Sequence, residues 1–256
     1  MKPCSRFALL CALTITAAQA QTATPPLAAN EHPSFEVATI KPHDPNNQRG
    51  GWNIDGRRVS IEGRSVLAMI MFAYALHPKQ IVDGPAWITE PYDVNGIADL
   101  PGEPTHDQMR EMLQKLLADR FALKVHREQR ELPAYTITIA KGGPKLQPSK
   151  DPSGPTDQDA HGSPQGLNMR WLNASIGDLA LTMNFFLDRP VVDRTGLTGK
   201  YDFTIQCLLK PRDKPNPDDF PDFFSAVQDQ LGLKFNAVKD KVEVLVIDHL
   251  DRPSAN

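Results

Sequence analysis

Apolar and polar positions follow two periods along this chain, strand-like and helix-like, and the periods come in the same order twice. Phe35-Glu36-Val37-Ala38-Thr39-Ile40-Lys41 alternates apolar with polar or small residues and stops at Pro42, the period of a half-buried strand. A polar loop over residues 43–51 separates it from Arg58-Val59-Ser60-Ile61-Glu62, a second alternating stretch. Ser65 then precedes Val66, Leu67, Met69, Ile70, Phe72, Ala73 and Leu76, whose spacing predicts a helix buried around most of its circumference, capped by the Ser65 hydroxyl and ended before Pro78. Strands are expected at 81–85 and 92–97, with turn chemistry at Gly84-Pro85 and Glu90-Pro91. Thr105 caps an amphipathic helix that carries Met109, Met112, Leu113, Leu116, Leu117 and Phe121 on one face. Residues 123–126 and 135–139 predict a hairpin that turns over residues 128–133.

Residues 142–166 are rich in proline and glycine and almost free of apolar side chains, so a linker or long surface loop is expected there. The order then recurs: a strand near 169–172, a helix from Ser175 to about residue 187, strands at 190–193 and 201–208, a helix over about 221–231, and a closing hairpin turned by Lys239-Asp240-Lys241. A shift of 110 positions lays Ser175 on Ser65, Val192-Asp193 on Val82-Asp83, and Leu233-Lys234-Phe235 on Leu123-Lys124-Val125; Tyr201-Asp202-Phe203 meets Tyr92-Asp93-Val94 at 109. The prediction is an α+β fold of two tandem copies of a strand-helix-strand-strand-helix-strand-strand unit, with helices packed on a largely antiparallel sheet. The copies are assigned to residues 35–141 and 167–256, joined by 142–166. Each is near the smallest size that closes a core alone, which favours packing of one copy on the other.

The first residues change the compartment. Lys2 and Arg6 give a positive end, residues 7–18 are apolar, and Ala18-Gln19-Ala20 is a small-x-small cleavage signature, so residues 1–20 are expected to be a signal peptide cut after Ala20. Export to the periplasm or the outside follows, with residues 21–34 as a disordered tether. Cys11 follows Leu10 in the middle of the apolar run, whereas a lipid-attachment cysteine follows a small residue at its end. Cleavage would leave Cys207 as the lone cysteine, too few for an internal disulfide and set in an apolar run where a buried small hydrophobe is expected. It would also leave 26 basic against 31 acidic residues. The absence of a basic patch argues against nucleic acid as a partner, and no later uncharged run is long enough to span a bilayer.

Few motifs offer chemistry. The seven histidines are scattered without metal-ligand spacing, and neither a metal nor a cofactor is expected. Asp193-Arg194-Thr195-Gly196 has one residue more than the Asp-Thr-Gly of aspartic proteases, and its counterpart Asp83-Gly84-Pro85 marks it as a turn. Gly196-Leu197-Thr198-Gly199-Lys200 is too short for a phosphate loop and precedes a strand. The polar feature that recurs is the pair of dipeptides Tyr92-Asp93 and Tyr201-Asp202. They either line a shared groove, or each Tyr packs on a sheet while its Asp bonds a neighbouring turn. His126, which the shift sets against Asn236, is the remaining candidate contact residue.

Phe35-Glu36-Val37-Ala38-Thr39-Ile40-Lys41-Pro42, Leu116-Leu117-Ala118-Asp119-Arg120-Phe121, Lys141-Gly142-Gly143-Pro144-Lys145-Leu146, the stretch from Val191-Val192-Asp193-Arg194-Thr195-Gly196 to Tyr201-Asp202-Phe203, and Val244-Leu245-Val246-Ile247-Asp248 resemble a family of secreted proteins of soil bacteria, the soil-associated proteins, built on a domain of unknown function. The resemblance supplies no activity and no catalytic residues. Related domains fused to membrane-embedded peptidases similar to antibiotic-response sensors imply an extracytoplasmic sensing or binding role. The unit is also similar in pattern to the short N-terminal domain of secretins, an interaction module. The expected function is a non-enzymatic extracytoplasmic binding or interaction module whose partner is an envelope protein or a small ligand. The alternatives are a secreted hydrolase assembled from dispersed residues such as His126, Asp193 and Asp202, and a self-assembling envelope scaffold.

Overall fold

Side-chain caps fix where the helices start. The computed structural model describes residue 25 and residues 27–28, 30–48, 50–214 and 216–253; the expected signal segment, with Cys4, Cys11 and Ala20, lies outside them. Ser65 accepts from the Ala68 amide and begins α1 (Val66–Tyr74). Thr105 and Gln108 exchange hydrogen bonds at the start of α2 (His106–Arg120), and Ser175 and Asp178 do the same for α3 (Ile176–Met183). Asp222 caps α4 (Phe223–Ala226), which runs into a π-helical turn, Val227–Leu231, ended by Gly232 at φ +64°. A side chain at Gly232 would meet the Gly143 carbonyl, so both the left-handed backbone and the close approach require glycine there. The regular part of α3 ends at Met183 and the chain continues in turns to Leu187, whose amide donates to the Met183 carbonyl at 2.9 Å, while Asn184 Oδ1 takes the Val191 amide.

The strands form three four-stranded sheets, mostly antiparallel, so the molecule is α+β. The first has the order β1 (Phe35–Pro42), β5 (Pro91–Ala98), β3 (Arg58–Ser65), β2 (Gly51–Asp55). The second has the order β7 (Gln147–Pro148), β11 (Tyr201–Cys207), β9 (Gly166–Ala174), β8 (Asp157–Ser163). The third, central sheet runs β10 (Val191–Asp193), β6 (Lys124–Ile139), β12 (Leu233–His249), β4 (Ile81–Val82).

The central sheet corrects both expected hairpins. β6 and β12 are single strands, paired antiparallel from Leu233 opposite Ile139 to His249 opposite Lys124. Pro133 does not break the ladder. The Tyr135 amide points away from β12 to the Pro190 carbonyl at 2.8 Å, and the Pro133 nitrogen, two residues earlier, faces the same way, so no bond to β12 is lost. Lys239-Asp240-Lys241 is likewise held in the ladder, with Lys239 opposite Pro133 and Lys241 opposite Glu131.

Two more expectations are corrected by packing. Residues 142–166 contain β7 and β8, and β8 pairs with β9 along its whole length. The described part of the expected tether is bonded rather than loose: Leu27 is 6% exposed, its amide donates to the Glu103 carbonyl, and Gln108 Nε2 donates to the Ala28 and Glu31 carbonyls.

Two apolar cores sit on the helices. α1 and α2 close on β3 and β5 in one; α3, α4 and the π turn close on β9 and β11 in the other. The long strands connect them crosswise. β12 begins in the second core with Leu233 and Phe235 and ends in the first with Leu245 and Ile247, while β6 leaves the first at Val125, just after Leu123, and reaches the second at Ile137. Buried His77 adds a polar tie, accepting from the Lys79 amide at Nδ1 and donating from Nε2 to the Leu187 carbonyl at 3.2 Å. Burial holds it below the usual imidazole range, as that neutral bonding pattern requires. Among the described residues no helix is long and apolar enough to cross a membrane.

Candidate functional site

The two Tyr-Asp pairs do not share a groove. Tyr92 is buried in the first core, edge-on to Phe121 at 5.8 Å, and Tyr201 packs against the second. Their aspartates perform one local task. The pairing of β3 with β5 slips between Ile61 and Arg64, and Asp93 accepts the amide of Gly63, at φ +60°, inside that irregularity at 2.9 Å. The pairing of β11 with β9 slips between Tyr201 and Phe203, and Asp202 accepts the amide of Asn173, at φ +52°, at 2.8 Å. Each carboxylate satisfies the amide that a bulge removes from the ladder.

Surroundings separate the two. Asp93 is 6% exposed, and His43 at the end of β1 approaches it at 2.6 Å through Nδ1 while its Nε2 bonds the Asn47 carbonyl at 2.9 Å. Both partners of the ring are acceptors, so His43 is an imidazolium, its pKa raised first by Asp93 and then by the Asn47 carbonyl. Burial pushes Asp93 up, but the Gly63 amide, His43 and Lys41 outweigh it and hold the carboxyl below the usual range. Asp202 is half-buried and lines a surface cleft.

His126 lies on the exposed side of β6 between two carboxylates, Asp248 at 2.8 Å on Nδ1 and Glu128 at 3.0 Å on Nε2. Asp248 first and Glu128 second raise its pKa. Arg130 extends the chain of charges to Glu128 at 2.9 Å and Asp83 at 3.3 Å. Asp193 sits opposite Ile137, eleven residues along β6 from His126 and so roughly 35 Å away at the rise of a strand. Its Oδ1 accepts from the amide and hydroxyl of Thr195, a turn of the kind expected. His126, Asp193 and Asp202 therefore do not meet. Cys207 is buried, and burial pushes its thiol up to about 11, which suits a packed hydrophobe rather than a nucleophile.

A cleft of about 350 Å³ lies across β11, from Arg170 of β9 on its inner side to Lys145, Gln147 and Gln230 at its outer edge, with Asp202 and Thr204 between them. Lys145 Nζ donates to the Asp229 carbonyl at 2.7 Å, and Arg170 forks onto Asp159 with bonds of 3.1 and 2.7 Å. Gln230 Oε1 accepts from the Gln206 amide and its Nε2 donates to the Gln206 carbonyl, both at 2.9 Å, so a side-chain amide stands where a neighbouring strand would. On the opposite face of the sheet Trp171 and Phe203 are stacked at 5.1 Å within the second core.

A model of the family described as a protein of unknown function, DUF3738, matches residues 67–250. The chain belongs to this family. No curated protein and no solved structure matches it. The DUF3738 match takes in the central sheet, both Tyr-Asp pairs, His126 and the whole cleft, while β1 to β3 lie before it.

Sequence reasoning missed His43, Thr204, Gln206, Gln230 and Lys145. The bulges had a signal, because Gly63 and Asn173 are 110 positions apart and both types tolerate the left-handed backbone. Gln230 had none: nothing local distinguishes a glutamine that bonds a strand edge from one in water.

Proposed function

We propose that this chain is an exported, non-catalytic binding module built from two copies of one unit that exchange their long strands. The cleft beside β11 carries the reading: an open sheet edge, backed by a packed core and lined by convergent polar groups, makes a recognition surface rather than a reaction centre. Duplication is supported by the common order of the two outer sheets and by the short parallel strands. Ile81 opposite Leu245 and Val191 opposite Tyr135 are related by the same shift of 110. Export to the periplasm or beyond is supported by the basic, apolar and small-x-small character of residues 1–20. A sensory use is supported by the resemblance to secreted proteins of soil bacteria and to domains fused to sensor peptidases. The partner is an envelope protein or a small ligand that offers peptide-like donors and acceptors.

Capture from envelope extracts, with the wild-type chain and Thr204→Trp side by side, tests this. Thr204 is exposed, so the indole fills the cleft without entering a core. The expected result is a partner held by the wild type and lost with Thr204→Trp. Equal recovery by both, or none by the wild type, sinks the reading.

A further inference from the structure

Along the outer edge of β11 every second residue turns its main-chain groups away from β9. The Lys200 carbonyl accepts from Ser149 at 2.8 Å, Asp202 pairs with Gln147, Gln206 is bonded by the Gln230 side chain, and Leu208 bonds Pro221 and Phe223. Thr204 alone in this row has no partner on that side among the described residues. The corresponding edge of β5 is filled. Tyr92 opposite Pro42 and Asp93 opposite Lys41 match Tyr201 opposite Pro148 and Asp202 opposite Gln147, but β1 extends further, with Thr39 opposite Asn95 and Val37 opposite Ile97. Next to β11 the chain leaves instead: the Lys145 amide turns to the Leu231 carbonyl at 2.8 Å. The place that a longer β7 would fill is the outer side of the cleft.

We propose that this place receives the C-terminal end of an extended peptide, which pairs with Thr204 and displaces the Gln230 amide from Gln206; the proposal rests on the binding-module reading above. A strand that runs in the direction of β1 meets Gln147 once it has passed Phe203, so it must end there. Lys145 and Gln147 line the cleft at that end, and the ammonium suits a terminal carboxylate. Gln230 keeps the edge closed to chance pairing until the peptide supplies the same donor and acceptor from its backbone.

The probe is an acetylated peptide, Phe-Glu-Val-Ala-Thr-Ile with a free carboxylate, the sequence of residues 35–40 that fills the matching place beside β5. Titrated into the isotope-labelled full chain, it should shift and protect the Thr204 amide. Gln230→Ala should tighten binding roughly tenfold, because two neutral hydrogen bonds no longer have to be given up. Methylation of the peptide's Thr nitrogen, which leaves the protein untouched, should abolish binding. No saturable shift at Thr204 with either protein at millimolar peptide, or equal binding of the methylated peptide, overturns the proposal. Should Thr204→Trp lose its envelope partner while the peptide fails, the strand-end occupant is wrong and the binding module stands. Should the peptide bind while capture ignores Thr204→Trp, the module reading falls and the site remains.

Discussion

Leu245→Ala tests whether the two cores are one cooperative structure. Leu245 belongs to the last strand of the chain, yet it is 1% exposed within the core built by α1 and α2, opposite Ile81 of β4. Truncating a fully buried leucine costs about 3 kcal/mol from lost transfer energy and the cavity left behind. That raises the ratio of unfolded to folded chain by roughly a hundredfold, at about 1.4 kcal/mol per factor of ten. With a urea slope of about 2.5 kcal/mol per molar, the midpoint falls by about 1 M. Because β12 enters both cores, the loss should not stay local. Native-state hydrogen exchange read by mass spectrometry should show slow amides of α2, around Leu116, and of α3, around Leu179, losing the same protection free energy. Ile137→Ala, the mirror change in β6, should act on both in the same way. If α3 keeps its full protection in Leu245→Ala while α2 loses it, the cores fold independently and the crosswise argument is wrong.

The two bulge aspartates should differ although their sequences match. Asp93→Ala strips the Gly63 amide and the half-buried His43 of their acceptor, whereas Asp202→Ala frees one amide beside an open surface cleft, so the urea midpoint should fall clearly further for Asp93→Ala; equal losses would refute the distinction. Stability should also depend on pH from both sides. His43 and His126 have raised folded values, so their contribution is complete below the ordinary imidazole value of 6.5 and is lost as pH rises through the folded values. Asp93 and Glu128 have lowered values, so their contribution is present above the ordinary carboxyl range and is lost as pH falls through the folded ones. His77, held low by burial, contributes fully above 6.5 and loses that contribution as pH falls through its folded value, so urea midpoints taken from pH 3 to 9 should peak near pH 6.5, and a midpoint that climbs steadily above it would contradict the assignment of His43 as an imidazolium.

Much of the local architecture was legible because its causes are local. Ser65, Thr105 and Ser175 begin helices through hydroxyls three residues before the amides they cap, and the apolar spacing after them reports the face that packs. β6 and β12 read locally as hairpins because Pro133 and Lys239-Asp240-Lys241 are turn signals, which a partner more than a hundred positions away overrides. β8 was hidden in the stretch 142–166, since an exposed edge strand needs little apolar content. For the site, the recurrence of Tyr-Asp was visible, but its meaning depended on register: only the slip in each ladder shows which amide the aspartate answers. Thr204 became notable only once its neighbours on the edge were seen to be paired.

The crosswise path of β12 also bears on the order in which the chain becomes available. Leu245, Ile247 and Leu250 complete the core assembled from residues 40–121, so a ribosome delivers most of the polypeptide before its earliest-made half can close. Contacts of such high sequence separation make for slow folding and leave apolar surface open meanwhile, which a chaperone could hold and which a premature stop near residue 244 would leave open for good. Loss of the last dozen residues should therefore undo the beginning of the protein as surely as its end.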